Sequence, residues 1–427
     1  MSRAGRSGMS RSDPDELSRQ ELVNALTGLV ARRSQLDARR AGLAGAAAET
    51  LVQELVAVAP LRPDCDLEDE LCSQLGLRLR EWADGPLEDS VSPNLFAEAI
   101  VTSAAAAVRA ALRELNTEPD GWQAAWRVLM AAAGMVPFPL SAAAVDTIED
   151  LRAASGGQVL PTIAHGPAVT GPVLWTRDAY GSRFGVTTAV YPPTGPDRWY
   201  LWDIDACGHQ AFTVHSGYYA GAEEALEAWQ AGVGEPAAAG TTFTPADDHW
   251  LLAELMPAEE GSLQAGGENT DQLAEYHRSR RLAEAALRAV EPSQLQPRQA
   301  DLEAAAVATQ FTAWLRTHRA DQPQPTDLEE LITELADSWS FSGPAALYST
   351  CSPHRVALTV LHLRNYYQDD FAAKLIGLLP DWTCWLAARN ATPPHLAQRC
   401  RPYALGEPHP DVGADHSKPN YLARITE

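Results

Sequence analysis

Lysine is almost absent. Lys374 and Lys418 stand alone among 427 residues, every other basic side chain being arginine. With many alanines and 30 prolines, this looks like the imprint of a high-GC bacterial genome, so a single arginine carries little functional weight. Cysteine is scarce: Cys65, Cys72, Cys207, Cys351, Cys384 and Cys400 include no CxxC pair, which argues against a disulfide scaffold or a four-cysteine zinc site. No window approaches 18 apolar residues, and Met1 to Ser12 lacks an apolar stretch of signal-peptide length. No membrane association is expected, and the chain reads as cytoplasmic. Positive charge is in deficit. Thirty-three basic against 56 acidic side chains leave −23, a field that excludes a surface coating nucleic acid uniformly but leaves a local basic site open.

Phosphate-binding loops are missing too. Gly156-Gly157 and Gly266-Gly267 lack the GxxxxGK spacing and a preceding strand, so nucleotide-dependent chemistry is set aside and no cofactor is expected. No GxSxG elbow occurs. What is present is an ordinary globular composition, 45% hydrophobic and 21% charged, with a length that suggests two to four domains.

The expected fold is mainly α with a small α+β middle domain, an antiparallel sheet plus a helix. Residues 1–12 read as a disordered N-terminus and 13–157 as a helical domain. A long helix starts at Ser12 or Asp13 with Pro14 inside it and runs to about Val58, either unbroken or as a pair interrupted near Gly42–Gly45. Its Leu22, Leu29, Leu36 and Leu43 recur every seven residues, while Arg33 and Arg40 interrupt the companion seam. Cover by the chain's own helices is expected rather than a second copy.

Residues 158–234 change period. Strands are predicted at Val173–Trp175, Arg183–Tyr191, Arg198–Ile204 and Ala211–Val214, followed by a helix from Ala222 that lays Ala225, Leu226 and Trp229 on the sheet. In the third strand Tyr200, Trp202 and Ile204 define an apolar face, and Leu201, Asp203 and Asp205 a wet, acidic one. Residues 235–269 read as a linker with one short helix, 270–406 as a C-terminal helical domain with starts at Thr326, Ser352-Pro353 and Pro380, and 407–427 as a mobile tail.

Chemistry-bearing residues are few. The metal candidate is Asp203, Asp205, Cys207 and His209, placed by alternation on one strand face with His215 nearby. Collinear strand residues diverge by nearly 7 Å per alternate step and cannot alone close a tetrahedral shell, so no metal is assigned. Cys351-Ser-Pro-His354 brings a thiol and an imidazole near each other, although Ser352-Pro353 also suits a helix start.

The strand order followed by a helix at Tyr218-Tyr219-Ala-Gly-Ala-Glu-Glu-Ala is similar in topology to the arm-binding domain of tyrosine recombinases, which implies a sheet that enters the DNA major groove. The segments Phe341-Ser-Gly-Pro-Ala-Ala-Leu-Tyr and Leu378-Leu-Pro-Asp-Trp-Thr-Cys-Trp-Leu resemble modules of uncharacterised actinobacterial helical proteins, a likeness that implies no activity. The leading expectation is a non-catalytic interaction or scaffold protein with an unknown protein partner. The second is a nucleic-acid-associated accessory protein of a mobile element. The third is an enzyme of unrecognised type on an unknown small-molecule substrate, a reading that a deep pocket with convergent His, Asp or Cys would favour.

Overall fold

The computed structural model describes residues 19–114, 121–155, 160–161, 168–191, 198–208, 211–256, 269–290, 304–319, 327–340, 344–410 and 412. It is mainly α with a small antiparallel sheet in the middle of the chain.

Helices α1 (Arg19–Val58), α2 (Asp64–Asp84), α3 (Pro93–Arg113), α4 (Trp122–Met135) and α5 (Leu140–Ala154) build the N-terminal block. Ser92 caps α3, its hydroxyl accepting the Leu95 N–H at 3.2 Å, with Pro93 in the first turn. Leu51, Leu55, Leu67, Leu71, Phe96, Ile100 and Leu129 form the block's sealed core. α1 does not break at Gly42–Gly45: it is one helix of 40 residues, because the alanines around those glycines favour helix and Ala44, Ala48, Leu51 and Leu55 bury a continuous face.

The expectation that the chain covers the whole leucine stripe is corrected. Leu36 and Leu43 are half-buried, but Leu29 is 61% exposed, as are Leu26 at 59% and Val30 at 67%. The cause is length. α3 has 21 residues, about 32 Å of helix, and cannot follow a helix about 60 Å long to its start. By length and composition α1 and α3 are apolar enough to cross a membrane, a test that core helices also pass, and α3 commits Phe96, Ile100, Val101 and Val108 to the core.

The sheet has strand order β5-β4-β3-β2-β6 with β1 added against β3, every pairing antiparallel. The strands are β1 (Ala168–Val169), β2 (Leu174–Arg177), β3 (Arg183–Tyr191), β4 (Arg198–Asp205), β5 (Phe212–Tyr219) and β6 (Thr244–Pro245). β3 and β4 pair with Arg183 opposite Asp205, Gly185 opposite Asp203 and Val186 opposite Trp202. β5 runs to Tyr219, past the expected end at Val214, because its whole length pairs with β4 across one irregularity.

Both faces of this sheet are covered, which corrects the wet acidic face and the placing of the helix. Tyr200, Trp202 and Ile204 pack with Phe184 and Val186 against α8 (His249–Leu255) and α9 (Thr270–Ala289). The opposite face, with Leu201, is covered by α6 (Ala222–Val233) through Ala225 and Trp229. A Cβ at Gly185 would lie 2.9 Å from Trp229 Cγ, so only glycine lets the indole rest on β3. Asp203 and Asp205 are consequently 3% and 5% exposed. The stretch 235–269 also does more than link. Its described part carries α7 (Glu235–Ala238), edge strand β6 and α8, whose Leu251, Leu252 and Leu255 enter the sheet core.

α9 opens on a capping box between Asn269 and Gln272 and packs against α2, although it lies in the segment read as C-terminal. The crossing is close: a Cβ at Gly76 would meet Thr270 O at 2.6 Å and Ala274 Cβ at 2.7 Å. Arg278 of α9 pairs with Glu68, Asp69 and Glu275, Arg198 of β4 reaches Asp69 at 2.7 Å, and both guanidiniums lie over the Tyr218 ring. This ionic cluster ties α2, the sheet and α9 together.

A further core belongs to α10 (Ala304–His318), α11 (Leu328–Ser340), α12 (Pro353–Tyr366), α13 (Asp369–Arg389) and α14 (Pro394–Ala404), around Phe311, Trp339, Trp382 and Trp385. Pro380 does not start a helix. It sits inside α13, where burying Leu375, Leu379, Trp382 and Leu386 on one continuous face offsets the roughly 3 kcal/mol cost of an interior proline. The expected start at Thr326 and the segments 1–18 and 413–427 lie outside the described residues.

Candidate functional site

β4 leaves the sheet at Asp205 and turns through Ala206 and Cys207, where Ala206 N–H bonds to Ser182 O at 2.9 Å. α12 begins beside this turn. Ser352 caps it by accepting Arg355 N–H at 3.1 Å, and Pro353 takes the first position, so His354 projects from the first turn. The strand end and the helix start, about 150 residues apart in sequence, are joined by contacts that include His354 Nδ1 to Asp205 Oδ2 at 2.8 Å and Cys207 Sγ to Ser352 Oγ at 3.1 Å.

Asp205, Cys207 and His354 offer a carboxylate oxygen, a thiol sulfur and an imidazole nitrogen that all lie within 4.8 Å of one another. The first two are held by local backbone, since Cys207 N–H donates to Asp205 Oδ1 at 2.7 Å. Burial pushes the Asp205 carboxyl up, but the hydrogen bond and charge of His354 and the Cys207 N–H outweigh it and hold the group below the usual carboxylate range. Burial alone would lower His354; its hydrogen bonds to Asp205 and Cys207 reverse this and lift it to about 10. The Cys207 thiol is raised, first by burial and then by the Asp205 charge.

The trio stands in the wall of a cleft of about 820 Å³ where the sheet domain meets α12 and α14. Asp178 shares the cleft. Its Oδ1 accepts N–H bonds from Ser182 at 2.8 Å and Arg183 at 3.1 Å, yet burial pushes its carboxyl up to about 6, the range of a general base near neutral pH. Arg399 stands exposed in the lining. His409 closes another side, its ring 5.4 Å from that of His354 and 4.8 Å from that of Tyr403, so the described start of the expected tail is packed. A second cleft of about 810 Å³, lined by Trp175, Asp248 and His249, gathers no such trio among the described residues: Asp248 caps α8, and the His249 ring bonds to Ala246 O at 3.1 Å.

Of the four metal candidates, Asp205 and Cys207 are thus brought together. Asp203 is not. It points to the α6 side of the sheet, where both oxygens take Arg183, Nε at 2.8 Å and Nη2 at 2.7 Å. His209 lies outside the described residues. His215 is exposed and bonds to Tyr219 Oη at 2.8 Å. Cys351 is buried against Cys400, so the imidazole that its motif supplied serves Cys207 instead. Sequence reasoning missed Asp178 and the pairing of His354; the Ser352-Pro353 start signal located the helix but not what it faces.

A cysteine–histidine–aspartate relay does not fit this geometry. Such a relay uses opposite edges of the imidazole, which would set carboxylate and sulfur on the order of 6–7 Å apart. Here they lie within 4.8 Å. The thiol is also held protonated rather than as the thiolate that attacks. No protein family, curated protein or solved structure matches this chain.

Proposed function

We propose that the protein binds a small polar ligand in the cleft between its sheet and its C-terminal helices, in the manner of an enzyme site. The observation that supports this is the convergence of Asp205, Cys207 and His354 from two separately cored blocks on one open cleft. Ligand sites favour such boundaries, volumes of about 300–1,000 Å³ and a few convergent polar groups of perturbed pKa. Arg399 makes no ion pair among the described residues, which favours a ligand with a carboxylate or phosphate group. Asp178 supplies a carboxyl able to take or give a proton near neutral pH.

The test is a binding screen of small carboxylates and phosphates against the full chain stripped with chelator, read by protein-observed NMR. Leu358 lines the cleft, so Leu358→Trp should fill it and weaken hits at least tenfold with the circular dichroism unchanged. Compounds that bind equally well to that variant, or a screen without hits, would refute the reading.

A second reading, an interaction protein, is favoured by the uncovered Leu26, Leu29 and Val30 on the projecting start of α1. Among the described residues both faces of the sheet are packed under helices, which gives less support to a nucleic-acid reading in which the sheet enters a groove.

A further inference from the structure

We propose that Asp205, Cys207 and His354 form a mononuclear site for a divalent first-row transition metal, zinc above others, with a fourth position open to the cleft. The inference deepens the cleft reading by naming an inorganic occupant, and rests on that reading only for the role of the open position.

The donor set selects the ion. Carboxylate oxygen, thiolate sulfur and imidazole nitrogen together suit zinc, whereas magnesium and calcium sites take oxygen throughout. Spread comes next. Around tetrahedral zinc, with bonds of about 2.0–2.3 Å, donor atoms stand roughly 3.3–3.8 Å apart. Atoms that already lie within 4.8 Å need only small rotations to close on one centre. Two ligands sit on one tight turn fixed by the Cys207 N–H to Asp205 Oδ1 bond, and the third on the first turn of a capped helix, so the frame is built before any ion arrives.

Partners around the trio match what a metal ligand needs. Ser352 Oγ lies 3.1 Å from Cys207 Sγ and can donate to a thiolate. On binding, the ion takes the place of the proton between Asp205 and His354 and of the thiol proton, and both leave to solvent. Three protein ligands and one open position is the arrangement of catalytic rather than structural zinc. Asp178 lines the same cleft as the trio.

The experiment titrates cobalt(II) alone into metal-free full-length protein in which the exposed Cys384 and half-buried Cys65 have been changed to serine. One equivalent should give the near-ultraviolet thiolate-to-cobalt charge-transfer band, and zinc should remove it. Cys207→Ser should abolish the band, and Asp205→Asn and His354→Ala should each weaken binding at least tenfold. No band in the parent protein overturns the proposal without reliance on any variant, as does a band that survives Cys207→Ser in a protein of unchanged circular dichroism. The compound screen needs no metal, so the two readings fail separately: hits without a cobalt band defeat the metal site alone, and a band without hits defeats the organic ligand alone.

Discussion

Arg278→Ala should be among the most damaging single substitutions in the chain. Its guanidinium is 6% exposed and is the shared partner of Glu68, Asp69 and Glu275, while its plane lies 4.9 Å from the Tyr218 ring. Removing one side of a buried ion pair costs about 3–5 kcal/mol because the partner charge is left in a dry site. Arg198 stays close to Asp69 and limits the loss there, so most of the cost falls on Glu68 and Glu275, 18% and 14% exposed. At roughly 2–4 °C per kcal/mol, the melt of the N-terminal block and sheet should fall by on the order of 10 °C in calorimetry. Glu68 reports on the cause. Burial holds its carboxyl above the usual range despite Arg278, so Glu68→Gln alone should be close to neutral. Adding Glu68→Gln and Glu275→Gln to Arg278→Ala should then restore at least half of the lost stability. A shift under about 2 °C for Arg278→Ala would refute the reasoning, and no recovery in the triple variant would show that lost packing dominates.

Three other outcomes are expected. His277 is buried, with Nε2 3.1 Å from Asn94 Oδ1, and burial followed by the Arg280 charge lowers it to about 3. The unfolded chain takes up a proton near pH 6.5 that the folded chain refuses, so stability is undiminished above that pH and falls by about 1.4 kcal/mol per unit below it; urea melts from pH 7 to 5 should show a shallower slope for His277→Asn. Gly185→Ala sets a Cβ within 3.1 Å of three Trp229 ring atoms and should cost about 1–3 kcal/mol, with a changed near-ultraviolet spectrum as the indole moves. If the start of α1 is an interaction surface, Leu26→Ser with Leu29→Ser should leave the melting temperature unchanged but abolish any self-association seen by light scattering, whereas a fall in stability would show that those leucines are covered.

The parts of this fold that were legible in the sequence are those set by local chemistry. Ser92-Pro93 and Ser352-Pro353 start helices where their side chains and missing N–H predict, and β3 spans Arg183–Tyr191 as its residues suggest. Misreadings come where tertiary burial overrides a local signal. Pro380 marks a start by its chemistry, yet the apolar face of α13 continues through it. Gly42 and Gly45 mark a break that alanine and burial erase. Alternation along β4 separated Tyr200, Trp202 and Ile204 from Asp203 and Asp205 correctly, but acidic side chains made the second face look wet. α6 covers it, and no periodicity within β4 shows which helix will pack there or that Arg183 will neutralise Asp203.

The two aspartates on that face show how an acidic strand end becomes a candidate site. Asp203 is closed off: one guanidinium occupies both oxygens in a fork, and Gly232 of α6 comes so close that its Cβ would lie 3.3 Å from Oδ2. Asp205, two residues on, emerges where α6 no longer covers the strand, so its partners come from its own turn and from a helix start about 150 residues away. A buried ion pair gives little net stability over an apolar contact of the same size. Joining the sheet to α12 therefore does not itself require a carboxylate, a thiol and an imidazole at one point, since leucine and valine would seal the boundary as well. Two of the three members of the metal candidate were legible, as Asp205 and Cys207 lie two residues apart in sequence; His354 was visible only as the base of the wrong cysteine, because the fold rather than the motif decides which thiol it meets.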